Sequence, residues 1–164
     1  MDTSLYISNT KMQFVCGEEK KGGISVSAFK TVELPEETVI NGLIVNEGRF
    51  DEAFQKIIEA HPAPGGMKKV RLTIGSGQAL VKARKIPMMS ESKILEWMKG
   101  ELSEAESEDE EYLYDYVIMD IKKDGDIALL CAIKKSMLDN YVNIFEDADI
   151  SLSCIDIGLN SQAK

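Results

Sequence analysis

Residues 70–102 constrain the fold more than any other stretch of this 164-residue chain. Val70, Leu72 and Ile74 alternate with polar residues, which is the period of a half-buried strand. A turn at Gly75-Ser76-Gly77 follows, then a second strand run from Ala79 to Ile86, closed by Pro87. Ser90 sits where an N-cap belongs, and Glu91 suits a helix N-terminus. Ile94, Leu95, Met98 and Leu102 then recur at helical spacing and give that helix one buried stripe. A strand pair followed by a helix cannot bury itself, so the rest of the chain must cover it.

The flanking sequence supplies that cover. Leu5 to Ile7, Met12 to Cys16 and Ile24 to Leu34 read as three antiparallel strands, with turns at Ser8-Asn9-Thr10 and Lys20-Lys21-Gly22-Gly23. A short apolar loop with a turn at Asn41-Gly42 leads to Asn46, which resembles an N-cap. Phe50, Ala53, Phe54, Ile57 and Ile58 form an amphipathic helix behind it. After Leu102, residues 103–111 are an acidic run without apolar periodicity, read as a solvated loop. It lacks the spacing and glycine of a calcium-binding loop. Residues 112–121 and 127–133 are strands of a hairpin turning at Lys123-Asp124-Gly125-Asp126. Ser136 is the expected cap of a last helix carrying Met137, Tyr141, Ile144 and Phe145, with Asp139 at the capping-box position. Residues 150–157 are the closing strand. The series breaks off as a new strand-to-helix turn begins at Gly158, as expected of a piece of a longer fold.

The chemistry-bearing residues are few. A net charge of −9 argues against a binder of phosphate backbones, so no nucleic-acid partner is expected. Lys82, Arg84 and Lys85 are the best basic cluster, or else one solvated strand face. Cys16, Cys131 and Cys154 are odd in number and widely spaced, without a CxxC pair. They read as small core residues of a reducing compartment. His61, the single histidine, lies in a proline-rich loop with no neighbouring metal-ligand residues. Gly75-Ser76-Gly77 could cradle a phosphate, but between two strands it reads as a turn. Asp156 before Gly158 could hold a metal–nucleotide complex or simply end a strand. Trp97 beside the buried stripe is either core or a partner-binding edge. No signal peptide and no apolar run of membrane-spanning length are present, so a cytoplasmic chain is expected.

Several segments, taken in order, resemble a known family. Leu34-Pro35-Glu36-Glu37-Thr38-Val39-Ile40-Asn41-Gly42-Leu43-Ile44-Val45 resembles a segment of the type IV pilus assembly protein PilM family. Lys69-Val70-Arg71-Leu72-Thr73-Ile74 and residues 81–87 resemble its next strand pair. Met89-Ser90-Glu91-Ser92-Lys93-Ile94-Leu95 resembles the start of its next helix. The resemblance covers almost the whole chain. It implies an α+β, layered, partial actin-like (ribonuclease H-like) fold related to the division protein FtsA. Residues 1–86 would be the first part of subdomain 1A: a three-strand meander, a helix and a strand pair. Residues 87–150 would be an inserted FtsA-like subdomain 1C of helix, hairpin and helix, and residues 151–164 the return strand.

The resemblance also implies a role. It points to a non-catalytic cytoplasmic scaffold that captures the cytoplasmic N-terminal tail of a bitopic inner-membrane protein like PilN. Any membrane contact would then run through that partner. The tail is expected in a groove between 1A and 1C, with Arg84, Lys85, Ile86 and Trp97 as the groove residues. Rings of the chain through 1A–1C contacts are a further implication. The alternative is an actin-like ATPase or ATP switch of pilus, competence, secretion or division machinery. The family's first phosphate loop carries an Asp and a Gly, where this chain has Tyr6 and Ser8. The Asp would position Mg²⁺ and the Gly would let backbone approach phosphate. An ATP or Mg²⁺ site is therefore not expected in this chain, nor any other cofactor.

Overall fold

The computed structural model describes residues 2–63, 66–87, 89–102, 109–120 and 126–158. The chain forms two compact units. One runs to Gly77 and resumes at Asn140–Gly158, and the other is Gln78–Asp139.

The first unit is built on strands β1 (Asp2–Ile7), β2 (Lys11–Lys20), β3 (Gly23–Glu33), β6 (Lys69–Ile74) and β10 (Ser151–Ile157), in the sheet order β10-β6-β1-β2-β3. β1, β2 and β3 are the expected antiparallel meander, while β6 and β10 add in parallel. Register places Met12, Ile7 and Ile74 in one row across the sheet, and Phe14, Leu5 and Leu72 in the next. All six are at most 1% exposed. Their alternation with polar residues therefore reports one buried face.

Helix α1 (Glu47–Glu59) and the second half of α3 (Lys135–Asp147) supply the aromatic core of this unit. Asn46 caps α1 as expected, its side-chain oxygen accepting the Arg49 N–H at 3.0 Å. Phe50, Ala53, Phe54 and Ile57 are buried from α1. From α3, Tyr141 meets the Phe50 ring edge-on at 6.1 Å between centroids, and Phe145 meets Phe54 at 4.6 Å. The Tyr141 hydroxyl donates to the Gly42 carbonyl at 2.8 Å, and burial pushes its pKa well above the ordinary tyrosine value. Gly42 follows Asn41 in the tight turn between the two-residue strands β4 (Val39–Ile40) and β5 (Leu43–Ile44). Both turn residues have positive φ, 50° and 85°, which is why the sequence is Asn-Gly there. α3 ends in a Schellman motif. Ile150 N–H bonds the Phe145 carbonyl and Asp149 N–H the Glu146 carbonyl, each at 2.9 Å, with Asp149 left-handed at φ 58°.

The second unit is a three-stranded antiparallel sheet, β7 (Leu80–Ile86), β9 (Asp126–Lys134) and β8 (Tyr112–Asp120), ordered β7-β9-β8. Helix α2 (Glu91–Leu102) packs on it. Ile94, Met98 and Leu102 of α2 join Ile86, Ala128, Leu130 and Ala132 in one buried cluster. The β8–β9 hairpin forms as expected, but residues 121–125 of its turn lie outside the described residues, as do residues 103–108 of the acidic run.

Three local expectations are revised. β6 and β7 do not pair: β6 is taken on both sides by parallel partners, β1 and β10, and β7 pairs with β9. α3 begins at Lys135, directly after β9, so Ser136 lies inside its first turn and not at the cap. Cys16 and Cys131 are buried, but Cys154 is exposed, because β10 is bulged between Leu152 and Cys154.

Candidate partner-binding edge and the strand ends

Arg84, Lys85, Ile86 and Trp97 all fall in the second unit, on β7 and α2. β7 is an edge strand, so one side of its backbone is not used by the sheet. Leu80, Lys82, Arg84 and Ile86 share the face on which α2 lies, since they stand opposite Ala132, Leu130, Ala128 and Asp126. Ile86 is 2% exposed and belongs to the core cluster, so it supports this edge from below and is not a contact surface. Lys85 points to the opposite face and is exposed.

The cationic side chains on the helix face serve α2. Lys82 Nζ donates to the Glu101 carbonyl at 2.8 Å, and Arg84 Nε to the Glu101 carboxylate at 3.0 Å. Both lie at the C-terminal turn of α2, where the helix dipole favours positive charge. Trp97, one turn before Glu101, rides the same flank of the helix and is half-buried against the core cluster. Lys99 marks the other flank, lying 5.5 Å from the Tyr114 ring centroid on β8. The structure thus brings Arg84 and Trp97 to one flank of α2 and leaves Lys85 outside that group. Glu101, which fixes Arg84, was not singled out from sequence. Its four-residue spacing from Trp97 was the available signal.

The C-terminal ends of β1, β6 and β10 converge in the first unit, where Tyr6, Gly75 and Gly158 meet. The Tyr6 hydroxyl lies 2.8 Å from the position of a Cβ built on Gly75, and its ring edge 4.0 Å from one on Gly158. A side chain at position 75 would therefore displace the Tyr6 hydroxyl. Ser8 closes the β1–β2 turn, its hydroxyl accepting the Thr10 and Lys11 N–H groups at 3.3 and 3.2 Å. Ser76 donates its hydroxyl to the Asn41 carbonyl at 2.8 Å. Asp156 accepts the Ile157 N–H at 2.9 Å, a strand-end arrangement.

His61 is better placed than its loop suggested. Its Nε2 stands 3.1 Å from Thr3 Oγ1 and 3.6 Å from Cys16 Sγ. Nδ1 accepts the Ala63 N–H at 3.3 Å, so the proton of the neutral ring sits on Nε2, facing Thr3. With Cys16 fully buried and Nε2 protonated, the pair is not set up as a base and nucleophile. Desolvation holds the imidazole below its usual pKa. Among the described residues no group of three His, Cys, Asp or Glu side chains could hold a metal ion, and no helix is long and apolar enough to cross a membrane.

A meander of three antiparallel strands extended by two parallel ones, with a helix–sheet unit inserted after β6, matches part of an actin-like fold. The same arrangement occurs in the structure of the PilM-PilN type IV pilus biogenesis complex, with a TM-score of 0.79 and 10% identity. That match covers 95% of this chain and 47% of that one. The cytoplasmic domain of EpsL, an inner membrane component of the type II secretion system of Vibrio cholerae, matches with a TM-score of 0.50 and 7% identity. It covers 94% of this chain and 54% of that one. At these identities the likeness is one of fold. The chain spans about half the length of the solved structures it matches. No protein-family model and no curated protein matches the sequence.

Proposed function

We propose that this chain is a non-catalytic cytoplasmic module of a type IV pilus or related type II secretion machine. In this reading it binds the cytoplasmic N-terminal tail of a PilN-like bitopic inner-membrane protein. The carrying observation is the fold shared, over nearly the whole chain, with the PilM-PilN complex. The tail lies as an extended segment along β7, the edge strand of its sheet. Main-chain hydrogen bonds give affinity there, and side-chain contacts to Arg84 and Trp97 on one face and to Lys85 on the other give selectivity. Ile86 holds the strand in place from the core. Titrating the chain with a peptide of that tail tests the reading, and Trp97→Ala should weaken binding by about tenfold or more.

A second reading, an actin-like ATP switch, draws on the glycine-bearing turn at the ends of β1 and β6. The Tyr6 ring over Gly75 counts against it, because it occupies the approach a phosphate would need. Saturable Mg-ATP binding would favour this second reading over the first.

A further inference from the structure

Strand β7 carries a charge pattern that the tail-binding reading has not used. Its residues include Lys82, Arg84 and Lys85 and no acid, in a chain whose net charge is −9. Lys82 and Arg84 stand two residues apart on the face that α2 covers. Their own sheet does not neutralise them. On β9 they lie opposite Leu130 and Ala128, and the acid Asp126 is met only at Ile86. From α2, the Glu101 carboxylate goes to Arg84 Nε at 3.0 Å. Lys82 receives the Glu101 main-chain carbonyl instead, at 2.8 Å, and among the described residues no carboxylate pairs with it. The Arg84 side chain is 44% exposed, and its guanidinium keeps N–H groups beyond those given to Glu101 and the Ala83 carbonyl.

An added strand completes this pattern. β7 has one neighbour in its sheet, β9. A segment laid along its other side sets every second residue on the α2 face, in one row beside Leu80, Lys82, Arg84 and Ile86. Acids at two successive places in that row meet the two bases. The place beyond Arg84 asks for different chemistry. α2 starts after Ile86 and is back at Lys82 and Arg84 by Glu101, so Trp97, one turn earlier, lies toward the Ile86 end. An apolar residue fits there. Resting on the tail-binding reading, we infer that the partner tail is recognised by two carboxylates separated by one residue, placed on Lys82 and Arg84. The next residue of the same row is apolar and packs on Trp97. Lys82 then sets selectivity together with Arg84 and Trp97, and Glu101 positions Arg84. Cytoplasmic segments beside a membrane span carry an excess of Lys and Arg, which β7 repels. It repels the β7 of a second copy for the same reason. The carboxylate pair distinguishes the tail from both.

Calorimetric titration of the whole chain with the synthetic tail peptide tests this, with circular dichroism to verify that each variant is folded. The tail should contain Asp or Glu at two positions separated by one residue. Replacing both by Asn or Gln should weaken binding by about tenfold, and Lys82→Gln should weaken binding of the unaltered peptide by about threefold. Lys82→Glu should weaken it further. A peptide with Lys in place of one of the two carboxylates should bind Lys82→Glu more tightly than it binds the wild-type chain, a reversal that a purely structural role of Lys82 would not produce. A tail that binds but lacks the carboxylate pair would overturn the inference and leave tail binding standing. So would an affinity that ignores both the neutralised peptide and Lys82→Gln, or the absence of the reversal. A tail that does not bind the wild-type chain would overturn both readings together.

Discussion

The Tyr6 hydroxyl and the α-carbon of Gly75 are so close that a methyl group on Gly75 would sit 2.8 Å from the phenol oxygen. The glycine of the turn that most resembles a phosphate cradle is thus engaged by the residue that replaces the expected aspartate. Gly75→Ala should destabilise the chain by about 1–3 kcal/mol through overpacking. In a Tyr6→Phe background the same change should cost less, with a coupling of about 0.5 kcal/mol or more. Urea unfolding of the four members of the cycle measures it. Additive effects would mean that the Tyr6 ring moves aside freely.

Tyr141 is the polar anchor of α3. Its hydroxyl has one described partner, the Gly42 carbonyl at 2.8 Å, and its ring is fully buried beside Phe50. Tyr141→Phe keeps the ring and leaves that carbonyl unpaired. It should lower the unfolding free energy, measured by denaturant titration, by about 1–2 kcal/mol. No loss would mean that water replaces the phenol.

Ile86 separates support from contact at the β7 edge. At 2% exposure within the α2 core cluster, Ile86→Ala should destabilise the chain by about 2–5 kcal/mol, and Ile86→Asp should unfold the second unit. Trp97→Ala, at a half-buried flank, should be milder. A folded, stable Ile86→Asp chain, seen by near-ultraviolet circular dichroism, would contradict the core assignment.

His61 sets a pH dependence of known sign. Desolvation lowers its folded pKa below the ordinary 6.5, so between those two values the unfolded chain binds more protons. Stability should therefore be full above the ordinary value and fall as pH drops through that window. Asp149 acts much lower. The Lys68 ammonium lowers its pKa, so its contribution is lost only below the usual carboxylate range. Thermal midpoints measured between about pH 7.5 and pH 5 should decline for the wild type. The decline should be shallower for His61→Gln. Identical slopes would remove His61 from the account.

Local pattern carried much of this fold. The alternations in β1, β2 and β6, the Asn46 cap and the Asn41-Gly42 turn are written in residues that touch each other or lie close in sequence. What the sequence did not carry is pairing between distant strands. Nothing in residues 80–86 announces that β7 leaves β6 for β9, since alternation does not name a partner. The exposure of β3 was hidden for the same reason. Its alternation looked half-buried, but the bulge at Ser27 turns Val26 and Ile24 to the same outer face as Phe29. At the candidate site, Arg84 and Trp97 were legible as a basic strand end and a tryptophan beside a stripe. The Glu101 clamp and the Tyr6–Gly75 contact required tertiary structure.

The central claim is that the chain captures the tail of an inner-membrane partner without catalysis. The most direct test is a calorimetric titration of the folded chain with a synthetic peptide of the tail. The tail would come from a short bitopic membrane protein encoded beside it. The account predicts saturable one-to-one binding that Trp97→Ala and Arg84→Glu weaken. Heat no greater than dilution, from a chain shown to be folded, would contradict it.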